Sequence, residues 1–519
     1  MVSAIRWGEH RPFDDDFYLD WAQADGFVGV FGAQDPSTAW LPLLIRRRGS
    51  AASLWQQVME RQLPVRWQPG WPERLTILPV WAQRDALPAL RAMVDRLEFS
   101  QPLAEPPWPA PAIEERVAIA DSSAPRVVVG VIDSGGAPLN RAFRRSYDDD
   151  APTRLLSYWD QTRAALGSPW RRAVAGYGRE LDAEALQALC WRARDAGRER
   201  ELYAGELDMP ERARLADQGG VDHANHVLDT LAGLPLKLPI PGAAKPAFVD
   251  EASRAELVMV SVAGGLPGQA TGAPSAVQVI DALHHIRRVA RQRAPDALVV
   301  VNISLGVQAG PRDGSLLLVQ AIDELMALDP GLQVLLAAGN RGRQAMLAHG
   351  LVAGNAAAPA SVRWRLLPED PTDSFLEAWW PIASRPDLQF RTRPPSGPPS
   401  PWVGAGQQVE WHDGANSLAR LSVLAQGRAC LALAPVAGDR GRQLPAGCWS
   451  LECRNRSASA VPLWVMVQGD QPDMSLLPGI PLAQSYLEQA QGLTLDVGGA
   501  HNVLCTGRYA LTVGAGTLE

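Results

Sequence analysis

Three polar side chains, Asp133, His223 and Asn340, stand at the ends or the starts of apolar stretches, and their types are those of proton transfer and anion stabilisation. The run Val127-Val128-Val129-Gly130-Val131-Ile132 reads as a buried strand that delivers Asp133, followed by Ser134 and Gly135, at its C-terminal end. Ligand sites of parallel sheets form at that end, so a carboxylate there is a candidate site residue. An aspartate in the same place can equally cap a helix. The segment Asp222 to Gly233 sets His223 at the start of a stretch rich in small and apolar residues, with His226 three positions on. The two histidines, with Asp222 or Asp229, have the types and spacing of a metal site. The plainer reading of His226 is a satisfied, buried imidazole that packs the helix. Two further apolar runs end in the same manner: Val299 to Gly306, which closes on Ser304-Leu305-Gly306, and Val334 to Ala338, which enters the turn Gly339-Asn340. Taken singly, the first is a strand plus a turn, and an asparagine after glycine is an ordinary occupant of a left-handed turn.

Together and in this order, these segments resemble the motifs of the subtilisin-like serine peptidases, the subtilases. The resemblance rests on Asp133 in Val-Ile-Asp-Ser-Gly, His223 in His-x-x-His-Val-x-x-x-x-Ala-Gly, the strand Val301-Asn302-Ile303-Ser304-Leu305-Gly306, and Leu335-Leu336-Ala337-Ala338-Gly339-Asn340. It implies that Asp133 orients and charge-stabilises His223, that His223 is the general base, and that the Asn340 side chain donates to an oxyanion. It also implies that Ser304, Leu305 and Gly306 line the primary specificity pocket for an extended protein or peptide substrate. No cofactor and no metal are implied. Thr153 to Gln161, Gly176 to Glu180 and Arg508 to Ala515 are similar to the subtilase branch that includes spore-germination proteases, whose members carry a jelly-roll insertion late in the catalytic domain.

Two departures matter. The family's nucleophile lies in a Gly-Thr-Ser-x-Ala-x-Pro motif downstream of the Val-Gly-Ala strand, and the sequence stops at Glu519, shortly after that strand. Ser396, Ser417 and Ser485 have the wrong neighbours, in Pro-Pro-Ser-Gly, Ala-Asn-Ser-Leu and Ala-Gln-Ser-Tyr. The expectation is a serine endopeptidase whose Ser-bearing C-terminal segment is missing, so that the chain alone is inactive. The alternative is a pseudoprotease that binds extended peptides or a partner protease. In addition, Ala224-Asn225 stand where the family has Gly-Thr, which places a bulkier side chain at the helix start.

The elements that must position these residues follow from periodicity. The expected fold class is α/β: a subtilisin-like parallel sheet with helices on both faces, an N-terminal ferredoxin-like pro-domain and an inserted β-sandwich. Residues 36–104 read as strand Leu41 to Arg46, helix Ala51 to Arg61, strand Arg74 to Ala82 and helix Ala86 to Leu97, then a last strand from Phe99. Apolar residues recur there at helical spacing between strand-like runs. A Pro-rich linker follows, Pro102 to Pro111. From Arg126 onward, near-continuous Val, Ile and Leu alternate with amphipathic helices, as in a parallel sheet covered on both faces. Between Ser361 and Asp470 short alternating segments between Pro and Gly clusters read as the sandwich. The expected divisions are 1–120, an N-terminal unit with its linker; 121–360, the first part of the catalytic domain; 361–470, the inserted sandwich; and 471–519, a return to the catalytic domain.

Bulk properties narrow the partners. A chain of 519 residues exceeds what one core usually supports. The 49 basic and 56 acidic residues are intermixed for a net charge of -7, with no basic stripe to neutralise phosphates, so nucleic acid is not expected. No run approaches the length of a membrane span and the N-terminus lacks a basic start before an apolar stretch, which predicts a cytoplasmic protein without a membrane partner. Five cysteines, odd in number, do not suggest a disulfide framework. Cys448 and Cys453 lack a neighbouring histidine to complete a tetrahedral zinc set and read as free thiols in a strand.

Overall fold

The computed structural model describes residues 6–514 apart from 14–15, 25, 28–38, 69–70, 101, 103–125, 165–166, 218–221, 236–249, 263–274, 341–344, 357, 384–385, 414–415, 438–443, 470–483 and 499–500. Most of the linker Pro102 to Pro111 and the boundary near residue 120 therefore lie outside the described residues. The described strands form four sheets, and the molecule is mixed α/β.

The N-terminal part contains α1 (Phe17–Ala24), β1 (Trp40–Arg47), α2 (Ala51–Glu60), β2 (Val65–Trp67), β3 (Ile77–Gln83), α3 (Leu87–Met93) and β4 (Val94–Phe99). The sheet is antiparallel in the order β2-β3-β1-β4. Helix α2 starts where the Ser50 hydroxyl accepts from the Ser53 amide at 3.1 Å, and it buries Leu54 and Val58. Two expectations change here. The helix read from Ala86 to Leu97 stops at Met93, because Val94 to Phe99 pair with β1 instead. Leu90, Met93 and Leu97 satisfy helical spacing, yet tertiary pairing overrides it at the β-branched Val94. The strand β2, three residues long, is too short to show a period in the sequence.

The central sheet uses β5 (Val127–Asp133), β6 (Leu155–Asp160), β7 (Arg171–Arg172), β8 (Arg179–Asp182), β9 (Glu256–Ser261), β10 (Leu298–Ile303) and β11 (Leu332–Ala337), with helices α4 (Ala183–Arg192), α5 (Ala196–Ala204), α6 (Pro210–Asp217), α7 (His223–Ala232), α8 (Ala276–Arg293) and α9 (Leu317–Leu328). Its order is Leu511–Val513, β11, β10, β5, β9, β6, β8, β7. From Leu511–Val513 through β6 all neighbours are parallel. The pleat decides which layer each side chain meets. Val128 and Ile132 of β5 join the core under α8 and α9, while Val129 and Val131 join the core under α4 and α7. Asp133 continues the second set, so its carboxylate is delivered to the side that carries α7. Gly130 faces α8 so closely that a Cβ would lie 2.6 Å from the Ile286 Cγ2.

The N-terminal sheet docks on α8 and α9. Ser100 Oγ donates to Gln278 Oε1 at 2.8 Å, the Thr76 amide to Glu324 Oε2 at 2.8 Å, and Arg96 Nη1 to the Ser315 carbonyl at 2.8 Å.

The remaining strands make two facing antiparallel sheets. One runs Arg6–Trp7, Gln407–Asp413, Asn416–Leu424, Arg428–Leu433, Ser374–Trp379, Val461–Val467, Leu347–Val352, Thr494–Asp496, and the other Leu388–Arg393, Gly447–Asn455, Ala360–Leu366, Tyr486–Gln491. Trp364, Phe390, Leu421 and Trp449 fill the space between. These strands extend beyond the segment 361–470 on both sides. Their outer members, such as Leu347–Val352, pair by long-range register that local pattern does not announce. All five cysteines are free thiols, Cys448 and Cys453 in one strand. No described helix is long and apolar enough to cross a membrane.

Candidate active site

Helix α7 begins at an aspartate cap: Asp222 Oδ1 accepts from the amides of Ala224 at 3.1 Å and Asn225 at 3.4 Å. The cap aims the first helical side chain, His223, at the end of β5. His223 Nδ1 lies 2.8 Å from Asp133 Oδ1. The Asp133 side chain is 1% exposed and that of His223 is 59% exposed. A buried carboxylate thus holds one ring nitrogen while the imidazole opens toward solvent. The same Asp133 oxygen accepts from the Ser134 amide at 2.7 Å, and Oδ2 has no hydrogen-bond partner among the described residues. Burial raises the pKa of Asp133. Its bond to and attraction by His223, and the Ser134 amide, pull it back down.

The turn after Asp133 is fastened from two sides. Ser261 Oγ accepts from the Gly135 amide at 3.1 Å, and Asn225 Oδ1 accepts from the Ala137 amide at 2.8 Å. Asn225, the bulkier residue at the helix start, therefore ties α7 to that turn rather than distorting it. His226 does not pack the helix as expected. It is exposed, because α7 buries Ala224, Asn225, Leu228 and Ala232 and turns position 226 outward. No group of three or more His, Cys, Asp or Glu side chains suited to a metal occurs among the described residues.

The other predicted residues reach the same edge of the sheet. β10 lies between β5 and β11, with Ile303 level with Ile132 on one side and Leu336 on the other. Asp133, Ser304 and the Gly339-Asn340 turn thus follow three adjacent parallel strands, the outer two about 10 Å apart at the usual strand spacing. Ser304 Oγ accepts from Asn302 Nδ2 at 2.8 Å, Leu305 packs partly buried on the core, and Gly306 faces Asn502. Gly339 has φ +105, a conformation that favours glycine, and Asn340 is exposed beyond it.

An imidazole whose Nδ1–H is held by a buried carboxylate presents Nε2 as the nitrogen that takes a proton. The pair can therefore serve as a general base assembly, and a charge that develops beside the Asn340 turn lies at the same strand ends.

Sequence reasoning missed three supporting residues. Arg212 of α6 pairs with Asp222. Arg154, 1% exposed, donates to the carbonyls of Ala142 at 2.9 Å and Ala232 at 2.6 Å, the latter at the far end of α7. Asn502 joins the loops after β10 and β11. Each acts across long sequence separations, which no local pattern signals.

The fold and the site thus define a mixed α/β protein with an aspartate–histidine pair at the C-terminal edge of a parallel sheet. No protein-family model and no curated protein sequence matches the chain. Among solved structures it is similar to the CspB protease of Clostridium perfringens, at 16% identity and a TM-score of 0.45 over 70% of this chain and 64% of that one. The likeness spans less than two thirds of that protein's length.

Proposed function

We propose that this chain provides the acid–base and substrate-binding parts of a subtilisin-like serine endopeptidase. The observation that carries the reading is the 2.8 Å contact between the buried Asp133 carboxylate and the half-open His223 ring. Asp133 orients the imidazole and stabilises its charged form, and His223 takes the nucleophile's proton and returns it to the leaving amine. Asn340 donates to the oxyanion, and Ser304, Leu305 and Gly306 border the pocket of an extended peptide. Ser396, Ser417 and Ser485 do not stand in the Gly-Thr-Ser-x-Ala-x-Pro setting of the family's nucleophile, and an acyl-enzyme forms only where a serine in that setting meets the pair. The β-α-β-β-α-β unit from Trp40 to Phe99 is a ferredoxin-like pro-domain that docks on α8 and α9. The two antiparallel sheets form a jelly-roll-like insertion.

The test is to supply the serine segment, in cis by extending the reading frame or as a separate polypeptide, and to assay casein hydrolysis and fluorophosphonate labelling. Both are expected to appear, and His223→Ala is expected to abolish hydrolysis. Asn340→Ala should lower kcat by about a hundred- to a thousandfold, the range for loss of one oxyanion donor in this enzyme class. Peptide capture with neither cleavage nor labelling would instead identify a pseudoprotease.

A further inference from the structure

We propose that Asn502 is a positioning residue that sets the separation between the segment 304–307 and the Gly339-Asn340 turn. After the last sandwich strands the chain re-enters the central domain and places Asn502, 1% exposed, between the loops that leave β10 and β11. Its Nδ2 donates to the Leu305 carbonyl at 3.0 Å and to the Ala337 carbonyl at 2.9 Å. Its Oδ1 accepts from the amides of Val307 and Leu504, each at 3.1 Å. An asparagine side chain has two donor hydrogens and two acceptor lone pairs, so all its capacity is used here. The backbone adds two more ties: the Asn502 amide donates to the Ala338 carbonyl at 2.9 Å, and the Val503 amide to the Val307 carbonyl at 2.7 Å.

β10 and β11 are in register only as far as Ile303 and Leu336 to Ala337, and beyond them the ladder no longer holds the two loops together. One amide group replaces it. Gly306 passes beside this amide: a Cβ built there would lie 3.7 Å from the Asn502 Cγ, an ordinary packing contact. The role of the two loops as substrate-binding and oxyanion elements rests on the function proposed above. Their coupling through Asn502 does not. An aspartate of the same shape can still accept from Val307 and Leu504 through one oxygen but, when ionised, turns its other oxygen, which carries no hydrogen, toward both the Leu305 and Ala337 carbonyls.

The test uses the 519-residue chain and three variants, Asn502→Ala, Asn502→Ser and Asn502→Asp. Calorimetry measures affinity for the insulin B chain as an extended peptide probe, and amide NMR follows Gly306, Val307 and Asn340. The expected results are an affinity loss of at least tenfold in Asn502→Ala and Asn502→Asp at pH 8, with the amides of Gly306 and Asn340 shifted together. In Asn502→Asp, affinity and shifts should recover several-fold toward wild type as the introduced carboxyl protonates on acidification, while the wild type shows no such recovery. That comparison lies within one folded variant, so a loss of fold in Asn502→Ala does not spoil it. Unshifted Gly306 and Asn340 amides in all three variants would overturn the proposal. If the wild type fails to bind the peptide, the protease reading falls, and the coupled amide shifts still decide the role of Asn502.

Discussion

Arg212 and Asp222 form an ion pair that lies directly over the backbone of Gly135, two residues after the buried Asp133. The same Asp222 carboxylate caps α7, so one group links α6, the helix that carries His223 and the turn that leaves β5. Gly135 has φ +90, and a Cβ there would lie 2.5 Å from both Arg212 Nη2 and Asp222 Oδ2. Gly135→Ala therefore combines backbone strain with displacement of a largely buried ion pair, and should destabilise the protein by about 2–4 kcal/mol. Gly49 is the control: its φ is +65 and nothing lies near its missing Cβ, so Gly49→Ala should cost only about 1 kcal/mol. Urea melts of the two variants check this, and equal losses would remove the ion pair from the account.

The far end of α7 is held by a different device. Arg154 gives its guanidinium to the carbonyls of Ala142, Arg144, Ala232, Ala252 and Ala255, and burial pushes its pKa down to about 10. Arg154→Met leaves these buried carbonyls without donors and removes a positive charge from a helix C-terminus. A loss of about 3–5 kcal/mol is expected. Arg154→Lys should recover little of it, since one ammonium cannot span carbonyls that a planar fork reaches. Thermal and denaturant unfolding of both variants provide the measurement.

How far the site could be read from sequence depends on the range of the interactions. Asp133 and His223 stand at the ends of locally patterned elements, so an apolar run or a helix start points to them directly. That β5, β10 and β11 belong to a parallel sheet is legible in their near-continuous Val, Ile and Leu runs, whereas their order in it is set by long-range pairing. Arg212, Arg154 and Asn502 are single polar residues whose meaning comes from partners tens to hundreds of positions away. His226 shows a local pattern overruled by a motif: Ala224, Val227, Leu228, Leu231 and Ala232 recur at helical spacing and leave position 226 off the apolar face, so periodicity already opposes the buried imidazole that the motif implies. Likewise, Leu90, Met93 and Leu97 fit a helix until the pairing of Val94 to Phe99 with β1 ends it.

A pH signature should arise at the docking surface of the N-terminal sheet. Asp281 of α8 is buried beneath Tyr177, whose hydroxyl donates to Asp281 Oδ2 at 2.9 Å, and Trp81 of β3 packs on that tyrosine. Burial raises the Asp281 pKa to about 8, against a small downward pull from Tyr177. The folded protein keeps this carboxyl protonated where the unfolded chain ionises it. Its contribution to stability is therefore complete below the unfolded pKa near 3.8 and is lost as pH rises toward 8, with no further change above. Asp281→Asn removes the dependence. The variant should match the wild type at pH 4 and exceed it by a few kcal/mol, on the order of 1.4 per pH unit crossed, at pH 8. His284 and His285, which burial pushes to about 3, titrate alike in both proteins and cancel in the difference. Guanidinium melts at pH 4, 6 and 8 supply the comparison, and a difference that shrinks as pH rises would contradict the assignment.

The last strand of the central sheet leaves an apolar edge. Leu511 pairs with Leu335 and Val513 with Ala337, and no described strand lies on the other side of Leu511–Val513. Leu511 is 55% and Val513 57% exposed, and Leu298 and Tyr509 add further exposed apolar surface. An uncovered edge strand of this character is a template for pairing with another chain. The 519-residue chain should therefore bind a hydrophobic dye and scatter light increasingly with concentration. The double substitution Leu511→Lys, Val513→Lys should suppress both and leave the melting temperature within about 2 °C, since side chains this exposed bury little area. If a serine-bearing helix covers this edge in the assembled protease, the same double substitution should also prevent a separately supplied serine segment from restoring hydrolysis. Dye binding that persists in the double variant would place the exposed apolar surface elsewhere.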